Sequence, residues 1–414
     1  PAPTTTGASP ARRSPPHEGV LMKKMLALPA IAAAMGLMLS GCASTDAGGD
    51  AAPGELKIDV PDIPMVTELG ENEGQVNIVA WSGFVEPAWT DTFTEETGCV
   101  VNRRVAGTSD EMVTLMRTGE YDLVSASGDA SLRLIVGGDV QPINQKLIPN
   151  FGDDIVEGMQ GQVYDTLNGK SYGVPIGRGA NILQYNTDVV TEAPTSWDVA
   201  WEADSPYAGQ IIGYDAPIYI ADAAVYLMAT QPDLGIKNPY ALDEKQLAAA
   251  VDLLKQQNKI IGDYWADPVK QITAFNGGDV VVGTSWEILR KLSENPKLEG
   301  TLPEEGSTGW SDAWMVGAKS KNVNCAYAWM DYTSSPEVNG AIAMNFGMAP
   351  ANAAFCETSD EAREHCETFN ATDEEYFKKV WFWTTPIEQC IDGRTDVKCT
   401  NFQQWTDAWV TVKG

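Results

Sequence analysis

Histidine is almost missing. The 414 residues hold two, His17 and His365, and His365 stands in an acidic, cysteine-bounded stretch. A serine-type triad needs a histidine beside its nucleophile, and no Gly-x-Ser-x-Gly element occurs, so a hydrolase of that kind is set aside. Gly-x-Gly-x-x-Gly, phosphate-loop and zinc-helix motifs are absent too, which removes the common nucleotide and zinc enzymes. No paired Cys-x-x-Cys and no adjacent tyrosines are present, so no metal site is expected. Positive charge is scarce: 28 Lys and Arg face 57 Asp and Glu, a net charge of −29. Such acidity argues against nucleic acid or anionic headgroups as partners. Beyond residue 40 no segment is apolar enough to span a membrane. One enzyme class passes this sieve, a secreted glycoside hydrolase, because so many acids offer many carboxylate pairs.

What is present begins at Met22. Lys23 and Lys24 form a charged n-region, residues 25–39 an apolar h-region, and Leu39-Ser40-Gly41 leads to Cys42. That order reads as a bacterial lipoprotein signal, with an apolar run of about 15 residues that is too short to span. Cys42 is then expected to become the lipidated N-terminal residue, exported and held at the outer face of the cell membrane or in the periplasm. The alternative is a plain secretory signal with a chance cysteine. Residues 1–41 are therefore set apart as upstream residues and signal, and 42–74, rich in Ala, Gly, Asp, Glu and Pro, as the lipidated cysteine and a flexible tether.

Six further cysteines, Cys99, Cys325, Cys356, Cys366, Cys390 and Cys399, make an even number in a compartment where disulfides persist. Cys356 and Cys366 are near in sequence, as are Cys390 and Cys399, which leaves Cys99 with Cys325. This is one of the fifteen connectivities that six cysteines allow.

The body alternates strand and helix signals. Strands are expected at 76–81, 100–104, 121–124, 210–214 and 279–283. Helices are expected at 87–98, 110–117 with Asp110 as N-cap, 221–230, 244–258 and 268–276. Residues 173–186 read as an extended crossover between two halves. Alternation of this kind implies an α/β fold with a mostly parallel sheet.

These residues carry a resemblance. Trp81, Phe93-Thr94-Glu95-Glu96-Thr97-Gly98, Gly119-Glu120-Tyr121-Asp122-Leu123-Val124, Tyr172-Gly173-Val174-Pro175, Pro194-Thr195-Ser196-Trp197 and Gly309-Trp310-Ser311-Asp312 resemble the substrate-binding proteins of ABC importers, within them the spermidine/putrescine-binding group. The resemblance implies a two-lobed periplasmic-binding-protein-like fold with a central ligand cleft and crossing hinge segments. Lobe 1 would be 75–184 with 313–349, and lobe 2 would be 185–312 with 350–414. It implies binding without catalysis, no cofactor, a membrane permease as partner, and a receptor acting as a monomer. Cys99 and Cys325 would both fall in lobe 1.

By the same resemblance Trp81, Trp286 and Trp310 match cleft tryptophans and Asp312 matches an ammonium anchor; the chain has thirteen tryptophans, and the other ten are assigned to core or surface. Aromatic faces and carboxylates are what a flexible organic cation needs. Glu287 is a further carboxylate beside Trp286, or a solvated one. Phe84 stands where the group carries an aromatic with a hydroxyl. Asp129, in Ser125-Ala126-Ser127-Gly128-Asp129, faces an amine or caps a helix. Asp215 is the acid nearest a position where the group has an acidic pair. Arg178 is unexpected for a purely cationic ligand: it clasps the carboxylate of a zwitterion such as an amino acid or betaine, or it forms an internal salt bridge.

Overall fold

The computed structural model describes residues 58–414; the signal at 1–41 and Cys42 lie outside them. Strand Gln75–Ala80 (β1) buries Val76, Ile78 and Ala80 in one apolar cluster and Val79 in another. Burial on both faces is what a central parallel strand demands. It runs parallel to Val100–Val105 (β2) and Leu123–Ser127 (β3). Helix Pro87–Thr97 (α1) connects β1 to β2. Pro87 lacks an N–H where none is needed, and Gly98 ends the helix at φ 75°. Helix Ser109–Thr118 (α2) follows, and its N-cap is Thr108, whose side chain accepts from the Glu111 N–H. Asp110, the expected cap, instead lies one residue inside the helix and pairs with Arg133 at 2.5 Å. β3 runs straight into helix Gly128–Gly137 (α3).

The expected crossover is one long strand, Val174–Asn186 (β4). A second group of strands follows: Ile211–Tyr214 (β5), Ile261–Trp265 (β6) and Val282–Trp286 (β7), with β5 parallel to both others. Their helices are Ile220–Thr230 (α4), Glu244–Gln257 (α5) and Pro268–Gly277 (α6). β7 starts three residues later than the sequence pattern predicts, since α6 closes through Gly278 at φ 76° and the chain must turn before it extends. Trp286 is thus the last residue of the strand itself.

Strand Ser307–Val316 (β8), all ten residues buried, returns to the first group. Its residues 312–316 pair antiparallel with β3, and residues 309–314 pair with the first half of β4. The second half of β4 pairs with β7. The resulting order is β2-β1-β3-β8-β4-β7-β5-β6, with β4 and β8 as the two strands that pass between the halves of the fold. Helices Val323–Ser334 (α7) and Pro336–Phe346 (α8) complete the first half. Strand Val380–Phe382 (β9) pairs parallel with residues 307–309 of β8, and helix Phe402–Lys413 (α9) ends the chain.

Disulfides join Cys99 to Cys325, Cys356 to Cys366 and Cys390 to Cys399, the pairing favoured from spacing. The flexible tether expected over 42–74 is corrected for its described part. Residues 58–74 lie against the first half: Ile58 exchanges two hydrogen bonds with the Asn168 side chain, Pro61 lies close over Gly138, and Gly70, Glu71 and Glu73 hold Asn324. Ile58 is buried and Val66 packs on the core. Ile58, Val60 and Val66 supply the apolar contacts of this polar, proline-bearing stretch, and the hydrogen bonds to Asn168 and Asn324 hold it beside them.

Candidate functional site

Parallel strands expose their following loops at their carboxyl ends, where α/β sheets take ligands. Here Trp81 follows β1, Ser127 ends β3, Tyr214 ends β5 and Trp286 ends β7. β8 runs between these two sets. Side chains on a strand alternate with period two, so Thr308, Trp310 and Asp312 share one face of β8, over about 13 Å at the usual rise per residue.

Each of the three positions has a defined environment. Asp312 accepts from the Trp81 indole N–H at 3.3 Å and from the Ser127 hydroxyl, and is 1% exposed. Burial outweighs these bonds and, with the nearby charge of Asp129, pushes its carboxyl up to about 7. The Trp310 indole packs against Gly179, where a Cβ would come 2.5 Å from the ring, and meets Trp286 edge-on at 5.9 Å. Thr308 donates to Asp222 at 2.9 Å and accepts from Asn181 at 2.6 Å, while Asn181 also accepts from the Trp286 N–H at 2.9 Å. The other oxygen of Asp222 is buried without a partner, and burial raises that carboxyl to about 7. Asp129 accepts from Ser109 at 2.9 Å, and burial lifts it to about 6. Between the acids stand Tyr214, stacked on Trp383 at 5.5 Å, and Tyr240, both phenols raised by burial first and then by the charges of Asp129 and Asp222.

Trp81, Asp129, Trp286, Trp310 and Asp312 are therefore brought together. Glu287 lines a small pocket with Trp286 and Trp310, whereas Phe84, Asp215 and Arg178 stand apart from this group. Phe84 is fully buried behind the site, edge-on to Phe346 at 4.6 Å and to Trp314 at 6.2 Å. Asp215 is turned to α9, where Lys413 pairs with it at 3.0 Å and the Trp409 N–H donates to it. Glu287 opens a short helix and is gripped by Arg290. Arg178 is 1% exposed, pairs with Glu374 at 2.6 Å and sits 3.7 Å above the Phe377 ring. The Glu374 pair is the internal salt bridge of the two readings offered, although the Nε is left buried without a partner and burial holds the guanidinium below its ordinary value.

Sequence reasoning missed Asp222, Asn181, Thr308, Ser127, Tyr214 and Trp383. Asp222 had a signal: it is the lone acid in the apolar run Ile220-Ala221-Asp222-Ala223-Ala224-Val225-Tyr226-Leu227, and an acid buried there needs a reason. Trp383 had none, because its place depends on where a distant segment folds back.

The profile of a family described as bacterial extracellular solute-binding protein matches residues 88–365. The spermidine/putrescine-binding periplasmic protein of Salmonella typhimurium is 26% identical over 283 residues, covering 66% of this chain and 76% of that protein. The putrescine-binding periplasmic protein SpuD of Pseudomonas aeruginosa is 25% identical over 309 residues, 69% of this chain and 81% of its own length. Among solved structures, the spermidine/putrescine ABC transporter substrate-binding protein PotD of Streptococcus pneumoniae superposes with a TM-score of 0.64 at 22% identity, over 82% of this chain and 97% of that one. With the two-lobed α/β fold and a family match over residues 88–365, the chain belongs to the bacterial extracellular solute-binding proteins.

Proposed function

We propose that this protein is the lipid-anchored substrate-binding component of an ABC importer and that it captures a small organic cation of the putrescine or spermidine kind. The observation that carries the reading is the pair of buried carboxyls along one face of β8, Asp312 at one end and Asp222, through Thr308, at the other, with residue 310 at the strand position between them. A buried acid with an unpartnered oxygen is costly unless a cation completes it. Methylenes between two ammonium groups favour a flat aromatic wall, and an ammonium over an indole face gains further attraction. Asp129 would add a third negative charge on the first half of the cleft. Arg178, held by Glu374, offers little to a zwitterion's carboxylate. The indole N–H groups of Trp310 and Trp383 have no acceptor, but neither do those of Trp314 and Trp329 in the core, so they do not argue for one on the ligand.

In this reading no covalent step occurs. The lobes close on the amine, and the closed form presents the surface that a membrane permease recognises. Lipid on Cys42 would keep the monomeric receptor at the outer face of the membrane. The test is calorimetric titration of the purified protein with putrescine, spermidine, γ-aminobutyrate and glycine betaine. A diamine or triamine should bind at micromolar concentration or below. Asp312→Asn keeps the shape and the Trp81 contact but removes the charge, and should weaken amine binding by about 2 to 5 kcal/mol. Binding of the zwitterions alone, or an Asp312→Asn affinity equal to that of the parent, would sink the cation reading.

A further inference from the structure

Residues 383–402 form a strap that is rooted in one half of the fold and touches the other along its length. Its outgoing limb continues β9, which is paired to β8, and the Trp383 N–H donates to the Gly309 carbonyl at 2.7 Å. Its returning limb is tied beside α5. The Thr400 N–H donates to Leu242 O at 2.8 Å, and Arg394 reaches Ala241 O, Asp392 and the capping Asp243. The Cys390–Cys399 disulfide closes the limbs on each other, and the Cys399 N–H donates to Glu388 O at 2.9 Å. Between these roots the strap reaches across to the first turn of α3. The Thr385 N–H donates to Gly128 O at 3.1 Å, and its hydroxyl donates to Asp129 O at 2.8 Å. Ile387 packs on the apolar cluster of α2 and α3, and the Arg133 guanidinium lies 4.5 Å over the Phe402 ring. Residues 383–386 are buried between the two.

We propose that this strap is a latch that sets how long the cleft stays closed, with Thr385 as its catch and the Cys390–Cys399 bridge as its stiffener. The inference rests on the reading that a ligand is held in the cleft. The turn that Thr385 grips, residues 127–129, also carries Ser127, which donates to Asp312, and Asp129. A cation drawn to Asp312 therefore steadies the same turn that the catch must find, which couples occupancy to closure. Gly128 records the contact. It occupies the first position of α3, where alanine is at ease, yet a Cβ there would come 1.7 Å from the Trp383 carbonyl oxygen. The strap is the backbone that approaches it so closely.

Gly128→Ala should pry the strap off, and Thr385→Val should remove the hydroxyl bond without changing the bulk. Two readouts decide: hydrogen exchange of the amides of Trp383, Thr384, Thr385 and Ile387 in the ligand-free protein, and stopped-flow release of putrescine and spermidine. Expected are faster exchange confined to the strap and release about tenfold faster in each variant, roughly the loss of one or two hydrogen bonds. A Cys390→Ala/Cys399→Ala double variant should behave alike, while β1 and β3 keep their protection. Unchanged exchange of 383–387 in both Gly128→Ala and Thr385→Val overturns the latch, whether or not an amine binds, and so does unchanged release of a bound amine in variants whose strap exchanges faster. If neither amine binds the parent, exchange alone judges the latch, and it is the cation reading that fails.

Discussion

Asp312 is the residue on which most depends, and its protonation gives it a signature. In the fold its carboxyl holds a proton up to about 7, because burial disfavours the charge; unfolded, it would release the proton near the ordinary carboxylate value of about 4. Between those values the folded chain binds the extra proton, so this group's contribution to stability is full below pH 4 and is lost as pH rises through 7. The stability of the parent minus that of Asp312→Asn should therefore fall from pH 5 to pH 8 in thermal unfolding without ligand; a difference that stays flat would show the carboxyl to be solvated. A bound ammonium reverses the preference. Amine affinity should rise from pH 6 to pH 8 with release of protons, measurable by calorimetry in buffers of differing ionisation enthalpy. The sequence displayed Trp81, Trp310 and Asp312 through motif and strand end. It could not display the Asp222–Thr308–Asn181 chain, whose members come from three distant elements.

At the scale of elements, caps and periodicity were legible and their details were decided locally. The Thr108 hydroxyl, not Asp110, holds the start of α2, since the cap residue must be extended while Asp110 is already helical. Thr108→Ala should cost about 1 kcal/mol in chemical denaturation, whereas Asp110→Ala loses only an ion pair in which the aspartate is largely exposed, and should cost less. The reverse ranking would restore Asp110 as the cap. β8 escaped prediction as a strand because all ten of its residues are buried, and burial on both faces erases the alternation by which strands are read. That strand nonetheless positions three site residues.

For the whole molecule, the Cys99–Cys325 bridge spans 226 residues of sequence and joins the end of α1 to α7 within the first half. Closing so long a loop restricts the unfolded chain, and replacing both cysteines by alanine should lower stability by about 2 to 5 kcal/mol. Amine affinity should be little changed, since the bridge lies away from the cleft; loss of binding with stability intact would contradict that. By itself the sequence determined the α/β alternation and a disulfide-bearing body, because periodicity, capping and short motifs are local. Only the tertiary structure decided that Arg178 belongs to Glu374, that Asp215 belongs to Lys413, that residues 58–74 are docked, and that a strap from the C-terminal region closes on Gly128. Each of these is a choice among many possible partners, and partner choice is set by which distant segments pack together, not by any pattern along the chain.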